Sequence, residues 1–378
     1  MQVKHPPNQI TAVYNVTSTT SATKLWDSQA FSHTSYYPFI KVIIDGEDVG
    51  GVIKTYTFAT TGEHEVRFIV KKGYRGTGLR LFFQVPDLIS IDFSEFKGEF
   101  TNAQGMFYAC TKLKSVTGLK ITNAVTATIQ MFYDCASLSH VDVADWDTSE
   151  VTNAYEMFSF SGILSLDADN WNLNKVTNVG YMFANCANLK TLKAANWGMK
   201  SVTNVNRMFY KTNALSVLNA PNWTFESLTT AGDMFYYNDG LKTLNAANWI
   251  RGSAMSFNNM FQYCRALETI DVSNWDTSNA TDTRYMFFSC QKLKSVDMSS
   301  WDLSKSTDLR GMFHSCSVLK SVAFNTEIKE GADVSSMFEG VNTSSPILYY
   351  YPHASFVERL LPNVPSKWQK IDITTLTE

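Results

Sequence analysis

The six cysteines are the residues of this 378-residue chain best suited to chemistry, either as disulfide partners or as metal ligands. Each lies four residues after a methionine, at Cys110, Cys135, Cys186, Cys264, Cys290 and Cys316. No Cys-x-x-Cys or Cys/His pair accompanies them. The equivalent positions elsewhere hold Ser161, Thr212, Asn238 and Val341. The pattern therefore favours a stacked row of reduced thiols in the core over a disulfide or metal site, consistent with folding in a reducing cytoplasm.

The other patterns that could carry chemistry are weaker. Asp147, Asp276 and Asp302 follow tryptophans and could suggest calcium, but the equivalent positions hold Asn172, Gly198, Thr224 and Ile250. Asp and Thr bonds to turn amides explain these aspartates better. The segment "GYRGTGLR", residues 73–80, lacks the spacing of a phosphate-binding loop, and the six histidines are scattered. We therefore expect no catalytic residue, no cofactor and no metal, and no enzymatic activity.

An internal repeat organises these positions. Met-Phe pairs recur every 25 or 26 residues, at Met106, Met131, Met157, Met182, Met208, Met234, Met260, Met286, Met312 and Met337. A leucine follows seven residues after the methionine in the first nine units. A fixed period of this length predicts a solenoid in which each coil buries its face on the next.

Each unit predicts one short strand of a parallel sheet. In "LKSVDMSSW", residues 293–301, alternation points Val296 and Met298 inward and Ser295, Asp297 and Ser299 outward. Aromatic residues at fixed positions predict a structural ladder in the core. It comprises Phe107, Phe132, Phe158, Phe183, Phe209, Phe235, Phe261, Phe287 and Phe313 with Trp146, Trp171, Trp197, Trp223, Trp249, Trp275 and Trp301. Carbohydrate stacking on the tryptophans is the alternative, but constant spacing favours packing, with each indole N–H bonded to a neighbouring carbonyl.

Units such as "LETIDVSNWDTSNATDTRYMFFSC" resemble BspA-type leucine-rich repeats of the W-D-T-S / M-F-x-x-C subclass, found in surface proteins of Bacteroidetes, mycoplasmas and some protists. The resemblance covers roughly residues 89–340. It implies a leucine-rich-repeat solenoid of about ten coils with a parallel β-sheet. It also implies adhesion or protein recognition without enzymatic activity.

The two ends do not follow the period. Residues 1–88 contain alternating segments separated by turn signals such as Asp45-Gly46, which predict a small antiparallel β domain. Within it, "YTFATTGEHEVRFIV" resembles a hairpin of PKD-like or immunoglobulin-like modules. Residues 341–378 resemble the terminal cap of BspA-like proteins, with a strand at 348–351, a short helix opened by Pro352 and Ser355, a tryptophan and a closing strand.

A variable, often aromatic position next to the Met-Phe pair marks a candidate binding surface. Its residues are Tyr108, Tyr133, Tyr210, Tyr236, Tyr237, Tyr263 and Phe288. Tyrosine supplies contact area at low entropic cost, which favours recognition of a protein. The alternative is that these rings only cover the flank of the coil.

Charge and composition limit the classes of binding partner that we expect. The net charge is −3, and no basic cluster suggests nucleic acid or a membrane surface. Apolar runs such as "FIKVII" are too short to span a bilayer. We expect protein partners, with glycans as an alternative ligand and self-association open. The amino terminus lacks the pattern of a secretory signal. That favours a bacteriophage virion component folded in the host cytoplasm, binding virion subunits or a host receptor, over a bacterial cell-surface adhesin.

Overall fold

The computed structural model describes residues 8–27, 37–252, 254–341 and 346–375. The chain divides into two compact units: unit 1, Met1–Asn172, and unit 2, Leu173–Glu378. Both contain short parallel strands, one per coil, joined by turns, which confirms the predicted leucine-rich-repeat solenoid. In the described ranges, no helix is long and apolar enough to cross a membrane.

Unit 1 begins with seven strands, of which all but the last pair antiparallel. Their bounds are β1 (Gln9–Val16), β2 (Thr23–Lys24), β3 (Phe39–Ile44), β4 (Glu47–Asp48), β5 (Thr55–Tyr56), β6 (Gly62–Val70) and β7 (Arg75–Thr77). β1 pairs with β6 along its whole length, and alternate residues of both strands are buried. Asp45 and Gly46, with φ of 49° and 88°, join β3 to β4 in the left-handed conformation that a tight hairpin turn requires. The predicted antiparallel strands are therefore present, while the likeness to PKD or immunoglobulin modules stays a prediction.

The antiparallel strands and the first coils share one sheet. The next strands are β8 (Leu88–Asp92), β9 (Glu99–Asn102), β10 (Ser115–Thr117), β11 (His140–Val141) and β12 (Ser165–Asp167). The seven-stranded order is β11-β10-β8-β1-β6-β3-β4. β8 is antiparallel to β1 on one side and parallel to β10 on the other. Main-chain hydrogen bonds thus join the amino-terminal strands directly to the solenoid.

A coil precedes the first Met-Phe pair. Leu81 and Phe82 take the place of Met and Phe, and the Phe82 ring stacks on Phe107 at 5.6 Å between centroids. Val85 and Leu88, both fully buried, stand at the cysteine and leucine positions. The array therefore has one coil more than the ten expected from the Met-Phe pairs.

Unit 2 repeats a parallel, in-register pattern. Its strands are β13 (Thr191–Lys193), β14 (Val217–Leu218), β15 (Thr243–Asn245), β16 (Thr269–Asp271), β17 (Ser295–Met298), β18 (Ser321–Phe324), β19 (Ile347–Tyr350) and β20 (Gln369–Asp372). Partners lie one period apart, as in the pairing of Thr243 with Thr269. In β17, Val296 and Met298 are buried while Ser295 and Asp297 are exposed, as predicted.

A strand-helix element closes unit 2, as expected. Helix α1 (Ala354–Arg359) follows β19, and the 3-10 helices Leu361–Asn363 and Ile373–Thr375 flank β20. The residue before α1 is His353, which makes no side-chain cap bond. Ser355, expected to open the helix, instead accepts a hydrogen bond from the Ile328 N–H at 3.0 Å. Its hydroxyl ties the helix to the last coils.

Two aromatic stacks run through each unit. In unit 1 the Phe107 and Phe132 rings lie 5.3 Å apart, and in unit 2 the Phe209 and Phe235 rings lie 5.2 Å apart. All ladder phenylalanines and tryptophans are at most 3% exposed. The predicted indole bonds are present, because six tryptophans donate to a backbone carbonyl of a preceding coil at 2.7–3.1 Å: Trp146, Trp171, Trp223, Trp249, Trp275 and Trp301. Packing and hydrogen bonding thus explain the constant tryptophan position.

A second ladder of backbone hydrogen bonds lies on the turn side of the coils. The N–H groups of Val205, Arg207, Phe209 and Lys211 donate to the carbonyls of Thr230, Gly232, Met234 and Tyr236 at 2.8–3.3 Å. In unit 1, the N–H groups of Ala103, Gly105, Phe107 and Ala109 donate to the next coil in the same way. We call this set of bonds the turn ladder. It fixes the direction in which the intervening side chains leave the coil.

Replacing Phe209 by alanine should lower the free energy of unfolding by about 3–5 kcal/mol, because it empties a fully buried rung between two stacked rings. Urea denaturation followed by circular dichroism measures this. Val217→Ala is the control, because Val217 is 55% exposed and its truncation should cost less than about 1 kcal/mol. Equal losses in the two variants would show that the buried phenylalanine stack contributes no more to stability than an exposed side chain does.

Candidate functional site

Two positions of every coil adopt left-handed backbone. They precede the methionine by one residue and follow it by three, and their φ angles range from 51° to 72°. The first row is Arg80, Gly105, Gln130, Glu156, Tyr181, Arg207, Asp233, Asn259, Tyr285, Gly311 and Ser336. The second row is Gln84, Ala109, Asp134, Phe160, Asn185, Lys211, Tyr237, Tyr263, Ser289, Ser315 and Gly340. Left-handed backbone costs roughly 1–2 kcal/mol for a residue other than glycine, so the side chains chosen here are informative.

The cysteine position is a hydrogen-bond donor position. The Cys264 thiol donates to the carbonyl of Phe235 in the preceding coil at 3.2 Å. Four more thiols do the same at 2.9–3.1 Å: Cys110, Cys135, Cys290 and Cys316. Thr212 and Asn238, which replace cysteine, donate to the equivalent carbonyls of Phe183 and Phe209. This shared bond explains why Thr and Asn can stand where other coils have Cys.

The thiols are chemically quiet. All six are buried, and none forms a disulfide in the described structure. Burial raises the pKa of the Cys110 and Cys316 thiols to about 12, so they stay protonated at neutral pH. They fit a structural row and offer no nucleophile.

In unit 1, the candidate residues Tyr108 and Tyr133 form a short stack. Their rings lie 4.8 Å apart and nearly parallel, and Phe83 stacks on Tyr108 at 4.8 Å. Phe160 meets Tyr133 edge-on at 5.7 Å and is 46% exposed. Burial raises the pKa of the Tyr133 hydroxyl, with the hydroxyl of Tyr108 and nearby carboxylates adding to the shift. The stack is half-buried along one side of the turn ladder.

In unit 2, five candidate residues form a continuous surface that we call the aromatic strip: Tyr210, Tyr236, Tyr237, Tyr263 and Phe288. The Tyr210 and Tyr236 rings are parallel at 5.7 Å, and the Tyr237 and Tyr263 rings stack at 4.4 Å. Phe288 meets Tyr263 edge-on at 5.4 Å. All five are half-buried. The structure thus brings these five together.

Cations lie over the rings of the strip. The Arg265 guanidinium is 5.1 Å from the Tyr263 ring centroid, and both of its neighbouring Asp239 oxygens accept from it at 3.0–3.1 Å. Arg207 lies 5.6 Å from Tyr210 and pairs with Asp233 at 3.1 Å. The Lys211 ammonium lies 5.1 Å from Tyr210 and 5.6 Å from Tyr237. The strip combines ring surface with positive charge, as recognition surfaces often do.

The remaining candidates do not assemble into a chemical site. Over the described residues, no group of three or more His, Cys, Asp or Glu could hold a metal ion. The Asp147 and Asp276 carboxylates accept backbone N–H bonds from Ser149 and Ser278, two residues on, as expected for turns. The glycine-containing segment includes strand β7, which pairs with β9 in place of opening a helix. These residues serve the turns and the sheet.

Family models match most of the repeats. Residues 101–223, 127–249 and 231–348 match the family described as "Mycoplasma protein of unknown function, DUF285", and together these matches extend over well more than half of the chain. The chain belongs to the DUF285 family. Residues 27–159 of this DUF285 protein also match the model described as "BspA type Leucine rich repeat region (6 copies)". The predicted BspA-type resemblance is thereby confirmed, and repeats of this type suggest protein binding of an adhesin kind.

Other comparisons add little. Among curated proteins, none matches this DUF285 protein. A solved structure described as "Crystal structure of TLR13-ssRNA13 complex" is similar at 10% identity with a TM-score of 0.26, over 76% of this chain and 50% of that one. This DUF285 protein thus spans half the length of that structure. A TM-score this low gives the likeness no weight for the fold or for a partner.

Several residues of the surface escaped sequence reasoning. Phe83, Lys211 and Arg265 contact the predicted rings, although the candidate set did not include them. The signal for Phe83 was the 25-residue spacing from Phe82 to Phe107. No sequence pattern predicted the contacts of Lys211 and Arg265 with the rings, because these contacts depend on the left-handed turns.

Replacing Cys264 by threonine should leave the DUF285 protein more stable than replacing it by valine of nearly the same shape. Threonine keeps a donor for the Phe235 carbonyl, whereas valine removes it, and the expected difference in the free energy of unfolding is about 1 kcal/mol. Urea denaturation of both variants measures it. The same Thr→Val exchange at Thr212 is the matched control and should cost a similar amount. Equal stabilities of the Cys264 variants would contradict a donor role.

Proposed function

We propose that this protein is a non-enzymatic binding protein that recognises a protein partner through the aromatic strip. Repeats of its family suggest protein binding, and no enzymatic family matches. The strip is the largest run of neighbouring half-buried rings among the predicted binding residues. The sequence predicted its five rings as binding residues, and that role is our proposal.

The observation that carries the proposal is the placement of Tyr237 and Tyr263 in left-handed backbone, with φ of 59° and 62°. In the same row, other coils use Asn185 and Gly340, residues that tolerate this conformation better, but also Phe160 and Lys211. Two bulky rings at this position work against local backbone preference. Strain of this kind tends to gather where a protein binds or acts.

The geometry of the strip supports recognition of a protein. The turn ladder holds the backbone beneath it at every second residue, so a partner would meet rings already in position. The strip hydroxyls have no hydrogen-bond partner among the described residues. They would add directional contacts to the ring surface, as tyrosines do in antibody binding sites.

Replacing Tyr237 and Tyr263 together by asparagine should remove binding while sparing the fold, because asparagine suits left-handed backbone. Peptides selected from a random displayed library on the full chain serve as probes. We expect their affinity to fall by about tenfold or more on the double variant, measured by fluorescence anisotropy.

The control exchanges Thr243 and Thr269, two exposed residues of the parallel sheet, for asparagine. This variant should bind the same peptides as the wild type. Peptides that bind the strip variant normally but lose affinity for the sheet variant would overturn the proposal and place recognition on the sheet. Thermal melts of both variants establish that each is folded.

The biological setting has two candidates. BspA-type repeats are typical of cell-surface proteins, which favours a bacterial adhesin. The bacteriophage virion expected from the sequence has one structural support: six buried cysteines without a disulfide among the described residues are consistent with folding in a reducing cytoplasm. On that support we retain the virion component as a proposal beside the adhesin.

Mass spectrometry of fractionated material separates these settings. Peptides such as "SVDMSSWDLSK" should be enriched in purified phage particles if the protein is a virion component. Enrichment in the cell envelope of a culture free of phage would contradict the virion and establish the adhesin. A cytoplasmic host protein, quantified in the same fractions, controls for lysis.

A further inference from the structure

Lys211 is the cation of the aromatic strip that lacks a counter-ion. Arg207 pairs with Asp233, and Arg265 pairs with Asp239, so each guanidinium is neutralised by its own coil or a neighbouring one. The exposed Lys211 ammonium makes no ion pair with any carboxylate of the described residues. It lies between two rings, 5.1 Å from the Tyr210 centroid and 5.6 Å from the Tyr237 centroid. The strip therefore carries one uncompensated positive charge.

A partner that covers the strip removes water from the Lys211 ammonium and must compensate for the lost hydration. Removing an ammonium from water costs several kcal/mol unless an anion replaces the solvent. The flanking rings of Tyr210 and Tyr237 would exclude water from the site once it is covered, which strengthens the attraction to an opposite charge. Arg207 and Arg265 are already paired with Asp233 and Asp239, so covering them does not require an anion from the partner. Covering Lys211 thus selects for a single acidic group.

The hydroxyls of the aromatic strip add hydrogen-bond donors to the same surface. Burial, together with the neighbouring hydroxyls of Tyr237 and Tyr263, raises the pKa of Tyr236 to about 12, so this phenol keeps its proton at neutral pH. The ammonium has three donors and no acceptor. A carboxylate accepts several bonds at once and matches this arrangement.

Resting on the proposed function, we infer that the partner is an acidic protein segment that places one Asp or Glu carboxylate on Lys211, between Tyr210 and Tyr237. The rings contribute contact area, and the ion pair contributes selectivity. An uncharged or basic segment is rejected because it would leave the ammonium buried without a counter-ion.

A charge exchange tests the inference. Peptides selected on the wild-type chain should be enriched in Asp or Glu. Their affinity should fall about tenfold or more on Lys211→Glu and several-fold on Lys211→Gln. Replacing the critical acid of a selected peptide by lysine should restore binding to Lys211→Glu. Raising the salt concentration should weaken wild-type binding more than binding to Lys211→Gln, because salt screens the ion pair.

Lys242→Glu is the matched control, since Lys242 is exposed beside the parallel sheet and carries no ion pair in the described structure. It should leave peptide affinity unchanged. Peptides that require Tyr237 and Tyr263 but bind Lys211→Glu as well as wild type would overturn the acidic partner and leave the binding strip intact. Peptides indifferent to the tyrosines would overturn the strip itself. If only a sialylated oligosaccharide shows Lys211-dependent binding, the protein partner is wrong.

Discussion

The turn ladder is the interaction on which the rest of the structure depends. In the described residues, a coil followed by another within its unit donates four N–H groups to carbonyls of that next coil, and left-handed backbone occurs at the same two positions each time. Once the ladder is set, Met and Phe face inward, as the fully buried Met208 and Phe209 show. The aromatic stacks and the thiol row form because successive coils present equivalent positions at the same height.

This constraint separates residues that the fold needs from residues that it only tolerates. Cys and Thr both donate to the preceding coil at the cysteine position, so they exchange there with little change in geometry. The fold needs left-handed backbone beside the Met-Phe pair, and any side chain there is an addition. Tyr237 and Tyr263 are such additions, which is why they are informative about binding when the buried Phe209 is not.

The coil could be predicted from the sequence because its core positions are periodic and chemically narrow. Met, Phe and Trp recur at constant spacing, and burial alone identifies their direction. The coil at Leu81-Phe82 was missed because Leu replaces Met there and the tryptophan is absent. The place of Lys211 between two rings could not be predicted, since it depends on left-handed turns that a lysine does not signal. For the same reason the sequence marked the strip rings but not the cations over them.

The turn ladder also has a direction. Each of its N–H groups points toward the following coil and each acceptor carbonyl toward the preceding one, so the peptide dipoles of the ladder add rather than cancel. The positive end therefore lies on the carboxyl-terminal side, opposite in sign to an α-helix. In unit 1 the negative end is met by Lys24, whose ammonium donates to the Phe83 carbonyl at 2.7 Å, and by the Asp27 N–H on Leu81. The backbone alone thus gives the turn ladder of each unit an electrical polarity that does not depend on its side chains.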